Sequence, residues 1–204
     1  MRRYVLTGAP GAGKTAIVRQ LEVCGFPVVE EAATDVIALE QALGDPEPWT
    51  RLGFIDKIIT LQRQREQREQ REQREQPAGD AGDGGRAVYF DRSPVCTLAL
   101  SRFLGLPASP LLTAEVDRIV RDRVYGETVF FVRSQGFVTA TAARRISLAD
   151  SLAFEEVHER TYRELGFRLT DVPAGPLAGR VEMVRREAGA RAVQVRTTGQ
   201  LAAG

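Results

Sequence analysis

The sequence predicts an α/β fold, a three-layer sandwich with a five-stranded parallel sheet, and three observations lead there. Five short apolar runs are nearly uninterrupted, as strands buried on both faces require. Segments with helical periodicity separate them, giving the alternation of βαβ units. A glycine-rich turn joins the first strand to the first helix.

The strands are expected at Tyr4–Thr7, Pro27–Glu30, Ala87–Phe90, Thr128–Val132 and Phe167–Val172. Helices are expected near 14–24, 32–43, 54–76, 94–104, 113–124, 148–165 and 176–188. Ser93-Pro94 starts a helix, with Ser as N-cap and Pro in the first turn. Gly166 closes the helix that ends Arg163-Glu164-Leu165.

With 204 residues, 43% of them hydrophobic, the chain suffices for one buried core and is short for two. One domain is therefore expected over 1–188, followed by a frayed tail over 189–204. A formal net charge of +1 supplies no global field for nucleic acid or an anionic membrane, so neither is expected as a partner. Nearly all the cations are Arg; Lys occurs only at Lys14 and Lys57. Cys24, Cys96 and the single His158 offer neither a disulfide framework nor a metal-ligand cluster. The cysteines read as small core residues in a reducing compartment. The first strand is expected within about four residues of Met1, so a preceding signal peptide is not expected. No apolar run approaches the ~18 residues a membrane span needs, and a cytoplasmic location is expected.

From Gln64 to Gln76 the chain repeats Arg-Glu-Gln. A helix here pairs Arg65 with Glu69, Arg68 with Glu72 and Arg71 with Glu75 at i,i+4 spacing. It has no apolar face, so the repeat reads as the solvated end of a helix whose buried part is Phe54–Leu61. A coiled coil would need an a/d apolar seam, which is missing. Pro77–Gly85 then reads as a flexible return, making 64–85 an insertion.

The most specific signal is Gly8-Ala9-Pro10-Gly11-Ala12-Gly13-Lys14-Thr15, which fits G-x-x-x-x-G-K-[ST] at every fixed position. A strand delivers the chain to a loop of small residues, whose backbone N–H groups can close around a β-phosphate. The following helix, from Lys14-Thr15-Ala16, points its positive end at the same anion. Lys14 is expected to neutralise the β- and γ-phosphates, and the Thr15 hydroxyl to take a place on Mg²⁺. ATP and Mg²⁺ are thus the expected ligands. Gly11-x-Gly13-x-x-Ala16 imitates a dinucleotide fingerprint, with Glu30 or Glu31 placed as a ribose-binding acid would be. That fingerprint puts its first Gly directly at the strand end, which here is Gly8, and gives no reason for Lys14-Thr15.

Absences narrow the class. The chain has no Asn, so it lacks the Asn-Lys-x-Asp segment with which Ras-type GTPases read guanine. The Leu-Ser-Gly-Gly-Gln signature of transporter ATPases is missing, and the third strand ends in Asp91-Arg92-Ser93 rather than the Asp-Glu pair of ring-forming ATPases. An apolar strand followed by Asp-Arg-Ser resembles nucleoside and nucleotide kinases, which implies Asp91 beside the metal and Arg92 reaching the acceptor. Glu30-Glu31 ends a second strand that opens beside the first, where an acid can accept the proton of an attacking hydroxyl. Arg144 and Arg145, within Thr141–Ser147 between the fourth strand and a long helix, fit a basic lid that closes on the triphosphate.

Together these pieces resemble the P-loop ATPases that share a domain with NadR-type ribosylnicotinamide kinases. The matching pieces run in order: Gly8–Thr15, the Glu-Glu-Ala-Ala strand end, a helix carrying Phe54, Gln62 and Glu66, the Phe-Asp-Arg turn, the Ala-Arg-Arg-Ile lid, and Tyr162-x-x-x-Gly166. Relatives often carry an Asp and a Tyr soon after the Asp-Arg turn, and Pro94–Leu98 supplies neither. The resemblance implies a P-loop kinase-like fold with a short helical lid. It also implies transfer of the ATP γ-phosphate to a hydroxyl of a small, nucleoside-like acceptor. A regulatory ATPase that switches a protein partner is the alternative. Neither the acceptor nor the oligomeric state is legible.

Overall fold

The computed structural model describes residues 2–51, 53–75, 87–137 and 146–201, with side chains as far as residue 190. In chain order the elements are β1 (Arg2–Thr7), α1 (Lys14–Val23), β2 (Val28–Val29), α2 (Ala33–Ala42), α3 (Phe54–Glu75), β3 (Ala87–Asp91), α4 (Pro94–Phe103), α5 (Pro110–Arg121), β4 (Thr128–Val132), α6 (Leu148–Glu164), β5 (Arg168–Val172) and α7 (Leu177–Leu201). A single 3-10 turn, Pro48–Thr50, precedes α3.

The five strands form one parallel sheet, as expected; its order is β2-β3-β1-β4-β5, so β2 and its acidic end lie beside β3 and not directly beside β1. Strand alternation explains the three layers. Tyr4, Leu6, Tyr89, Phe130 and Val132 face Ile17, Val18 and Leu21 of α1 and Val181 and Val184 of α7. The intervening Val5, Val88, Phe90 and Val129 face the other way, onto Val95, Ile119 and Tyr162 of α4, α5 and α6. A third cluster joins α2, α3 and α5 through Val36, Phe54, Ile58, Ile59, Leu112 and Val116. β1 is central, so its C-terminal end opens between β3 and β4, where ligands of open α/β sheets bind.

Two helix boundaries and one cysteine depart from expectation. The helix expected at 113–124 starts at Pro110, because Ser109 caps it by accepting from the Leu112 N–H at 3.1 Å. The last helix does not end near 188: α7 runs to Leu201, through an Ala-rich stretch with no Pro to stop it. Cys24 is exposed, and only Cys96 is the core residue expected of both.

The larger correction concerns the Arg-Glu-Gln repeat. It does form the end of a long helix, but its first turns are not solvated. Gln62, Glu66 and Glu69 share one face of α3 and are buried. Glu66 lies 3.4 Å from Arg3, 3.1 Å from Arg118 and 3.3 Å from the Tyr125 hydroxyl, while Glu69 lies 3.3 Å from Arg3. Arg65 reaches the other way, donating to the Glu30 and Glu31 carbonyls and pairing with Asp35. A face without apolar residues is buried here because each charge meets an opposite one. Burial, with the charges of Glu66 and Glu72, pushes the Glu69 carboxyl up against the pull of Arg3. The continuation at 76–86 lies outside the described residues.

Glu66→Ala removes the buried carboxylate that Arg3, Arg118 and Tyr125 share, leaving Arg3 to Glu69 and Arg118 to Glu115, and is expected to cost about 3 kcal/mol. A chain of this length should then melt roughly 10 °C lower. A melting temperature within about 2 °C of wild type would show that the network contributes nothing net.

Candidate active site

The phosphate loop follows β1 without a spare residue. Gly8 has φ 131°, and a Cβ there would lie 2.2 Å from the Val132 carbonyl oxygen, so β4 leaves room only for glycine. Gly13 has φ 84°, and its Cβ would sit 2.8 Å from Arg180 Nη1. Two side chains brace the loop from behind. Arg180 of α7 donates to the Ala12 carbonyl at 2.8 Å, and Ser151 of α6 donates to the Pro10 carbonyl at 2.9 Å. Nothing in the local sequence pointed to either. The loop therefore holds its curvature through contacts from two distant helices.

Lys14 is buried and folds back to donate to the Ala9 carbonyl at 2.7 Å. Burial, with the Arg92 charge adding to it, lowers its pKa to about 7, while Asp91 and Glu31 oppose. Bound phosphates would raise that pKa, so nucleotide binding above pH 7 should take up a proton at Lys14. Affinity for magnesium ATP is therefore expected to fall as pH rises from 7 to 9. The free protein should instead gain stability over that range, because the unfolded chain holds the Lys14 proton more tightly. Calorimetry at pH 8 in buffers of differing ionisation enthalpy reads the uptake directly. Zero uptake would contradict the assignment.

Asp91 ends β3 and is buried. Its Oδ2 accepts from the Thr15 hydroxyl at 2.8 Å. Its Oδ1 is buried and has no hydrogen-bond partner among the described residues. Burial, then the nearby Glu31 charge, pushes this carboxyl above its usual range, against Lys14, Arg92 and the Thr15 bond. A carboxylate and a hydroxyl, both hard oxygen donors with one orphaned oxygen between β1 and β3, suit Mg²⁺.

Arg92 takes a left-handed backbone, φ 75°, and its N–H donates to the Leu6 carbonyl at 3.0 Å. The turn presents its guanidinium beside the loop, where Nε lies 2.6 Å from Glu31 Oε1. Thr34 donates to the other oxygen of Glu31 at 3.2 Å. The two candidate acids are thus separated. Glu30 turns away to pair with Arg19 on the outer face of α1, and Glu31 enters the site.

Beyond Glu31 and Arg92 lies a cavity of about 420 Å³, bounded on the phosphate-loop side by Pro10. Its walls are mostly apolar, with Trp49, Phe54, Phe103 and Phe154 among them. Trp49 arrives on the 3-10 turn that the sequence did not announce. Gln62 lines the same cavity, 4% exposed, with its Oε1 unpaired among the described residues. Cys96 and Thr97 of α4 add to the wall. Arg144 and Arg145 lie outside the described residues. Ile146 lines the cavity, and Ser147 caps α6 by accepting from the Asp150 N–H at 3.0 Å.

A family model described as an AAA domain matches residues 3–180. Solved structures of deoxyadenosine kinase from M. mycoides share the fold. One with bound dCTP has a TM-score of 0.56 and 15% identity, over 92% of this chain and 98% of that one. Another, with products dCMP and a flexible dCDP bound, has a TM-score of 0.54 and 16% identity, over 91% and 97%. No curated protein matches the sequence.

Proposed function

This chain belongs to the AAA-domain family, and from that premise we propose that it moves the γ-phosphate of ATP to a hydroxyl of a small acceptor. The observation that carries the reading is the placement of Glu31: a carboxylate braced by Arg92 lies between the phosphate loop and an apolar cavity sized for a metabolite. The kinase fold of the M. mycoides structures supports it.

In this reading Gly8–Thr15 wrap the phosphates with backbone N–H groups, and Ala16 opens the helix whose positive end faces them. Lys14 leaves the Ala9 carbonyl and moves onto the β- and γ-phosphates. Thr15 and Asp91 would hold Mg²⁺, which supplies positive charge to the phosphate oxygens. The acceptor lies in the cavity with its flat or apolar body against Trp49 and the Phe side chains, and Gln62 supplies a polar contact. Its hydroxyl oxygen bonds to the γ-phosphorus as the bond from phosphorus to the bridging oxygen of ADP breaks. Glu31, ion-paired with Arg92 and accepting from Thr34, accepts the hydroxyl proton. Arg144 and Arg145 would close over the transferring group.

ATP turnover is measured with and without a panel of nucleosides and related alcohols. Stimulation by one acceptor, lost in Glu31→Gln, is the expected result. Slow turnover that no acceptor stimulates would favour a regulatory ATPase.

A further inference from the structure

We infer that His158 is a positioning residue which, as a neutral hydrogen-bond acceptor, holds the Arg92 guanidinium against Glu31; the inference rests on the phosphotransfer reading of that site. His158 is fully buried on α6. Its Nδ1 lies 3.0 Å from the Phe154 carbonyl oxygen, and a carbonyl can only accept. Nδ1 therefore carries the hydrogen, and Nε2 is left as a bare lone pair. That lone pair faces Arg92 Nη1 at 3.3 Å, and a guanidinium can only donate. Two partners of opposite kind thus fix one tautomer. Phe154, edge-on to the imidazole at 4.2 Å and itself lining the cavity, fixes the ring.

Arg92 needs such a partner. It leaves β3 from a left-handed backbone, and a long side chain there has many rotamers. Glu31 holds the guanidinium by an ion pair at Nε, and His158 accepts from Nη1, so it is held from two sides. The choice of residue type follows from charge. Arg92 already bears on the buried Lys14. A third cation at position 158 would push both away from the site, and a carboxylate would draw Arg92 off Glu31. A neutral acceptor does neither. Burial, with Arg92 beside it, keeps His158 uncharged by holding its pKa well below the ordinary value. A core histidine satisfied by backbone alone would account for Nδ1 and leave the Nε2 contact without a purpose.

Because the chain has a single histidine, its imidazole ¹⁵N spectrum reports His158 alone. The wild type is expected to show the Nδ1–H tautomer, with an Nε2 resonance that moves in Arg92→Leu. Turnover of magnesium ATP is then compared in His158→Phe and His158→Gln, with whichever nucleoside of the panel most stimulates the wild type. His158→Phe should lower kcat about tenfold or more and raise KM for the acceptor, with KM for ATP within about twofold. His158→Gln, whose amide oxygen can accept from Arg92, should recover most of the loss. An Nε2–H tautomer in the wild type overturns the inference. So does wild-type turnover in His158→Phe, or equal losses in both variants with KM for ATP rising alongside. Should His158→Phe fail to fold, the spectrum and the Gln variant decide. A wild type that no acceptor stimulates counts against the phosphotransfer reading instead. The variants are then compared on ATP hydrolysis, with the same order expected.

Discussion

Lys14→Ala is expected to abolish tight binding of magnesium ATP. The loop supplies backbone N–H groups to the phosphates, but Lys14 is the side-chain cation seated within it. In the free protein this charge is already costly, since burial and Arg92 lower its pKa to about 7. The site keeps an ammonium there at a cost that only an incoming anion offsets. Removing a buried charge-assisted contact should cost about 2–4 kcal/mol, or roughly thirty- to a thousandfold in affinity. The variant should melt no lower than the wild type without nucleotide, because the poorly solvated ammonium is gone. Calorimetric titration and a melting curve check both halves. Unchanged affinity would remove Lys14 from the site.

Asp91→Asn should lower turnover by roughly a hundredfold or more while leaving binding largely intact. The amide keeps the shape, and its oxygen can still accept from the Thr15 hydroxyl, as Oδ2 does at 2.8 Å. It removes the charge opposite Thr15 and puts an N–H₂ or a neutral oxygen where the buried Oδ1 is unpaired. Phosphate contacts from Gly8–Thr15 persist, so ATP affinity should fall only a few-fold. A residue that served only to end the strand would tolerate the amide. Turnover within about threefold of wild type, with affinity unchanged, would show Asp91 to be structural.

What the sequence revealed and what it hid divide along chain distance. The phosphate loop is contiguous, so the run Gly8–Thr15 and its place between β1 and α1 were legible. β1, β3 and β4 were legible because burial on both faces makes them continuous apolar runs, whereas edge strand β5 is partly exposed. Glu66 was misread because its partners Arg3, Arg118 and Tyr125 lie 63, 52 and 59 residues away, and a polar face looks solvated until those partners are placed. Glu30 and Glu31 could not be told apart because β2 has only two residues and no period from which to read a direction. His158 did carry a signal. With Phe154, Thr161 and Tyr162 it falls on the buried face of α6 at i, i+4, i+7 and i+8, and a titratable group on such a face needs a named partner. Arg180 and Ser151 meet the loop through its backbone carbonyls, which no side-chain pattern encodes.

The measurement that bears most directly on phosphotransfer follows the label from γ-³²P ATP in the presence of the nucleoside panel. Label is expected to leave ATP for one organic acceptor, faster than it appears as inorganic phosphate; Glu31→Gln should lose this transfer and Glu30→Gln keep it. Label recovered wholly as inorganic phosphate, at one rate with and without every acceptor, would contradict phosphotransfer.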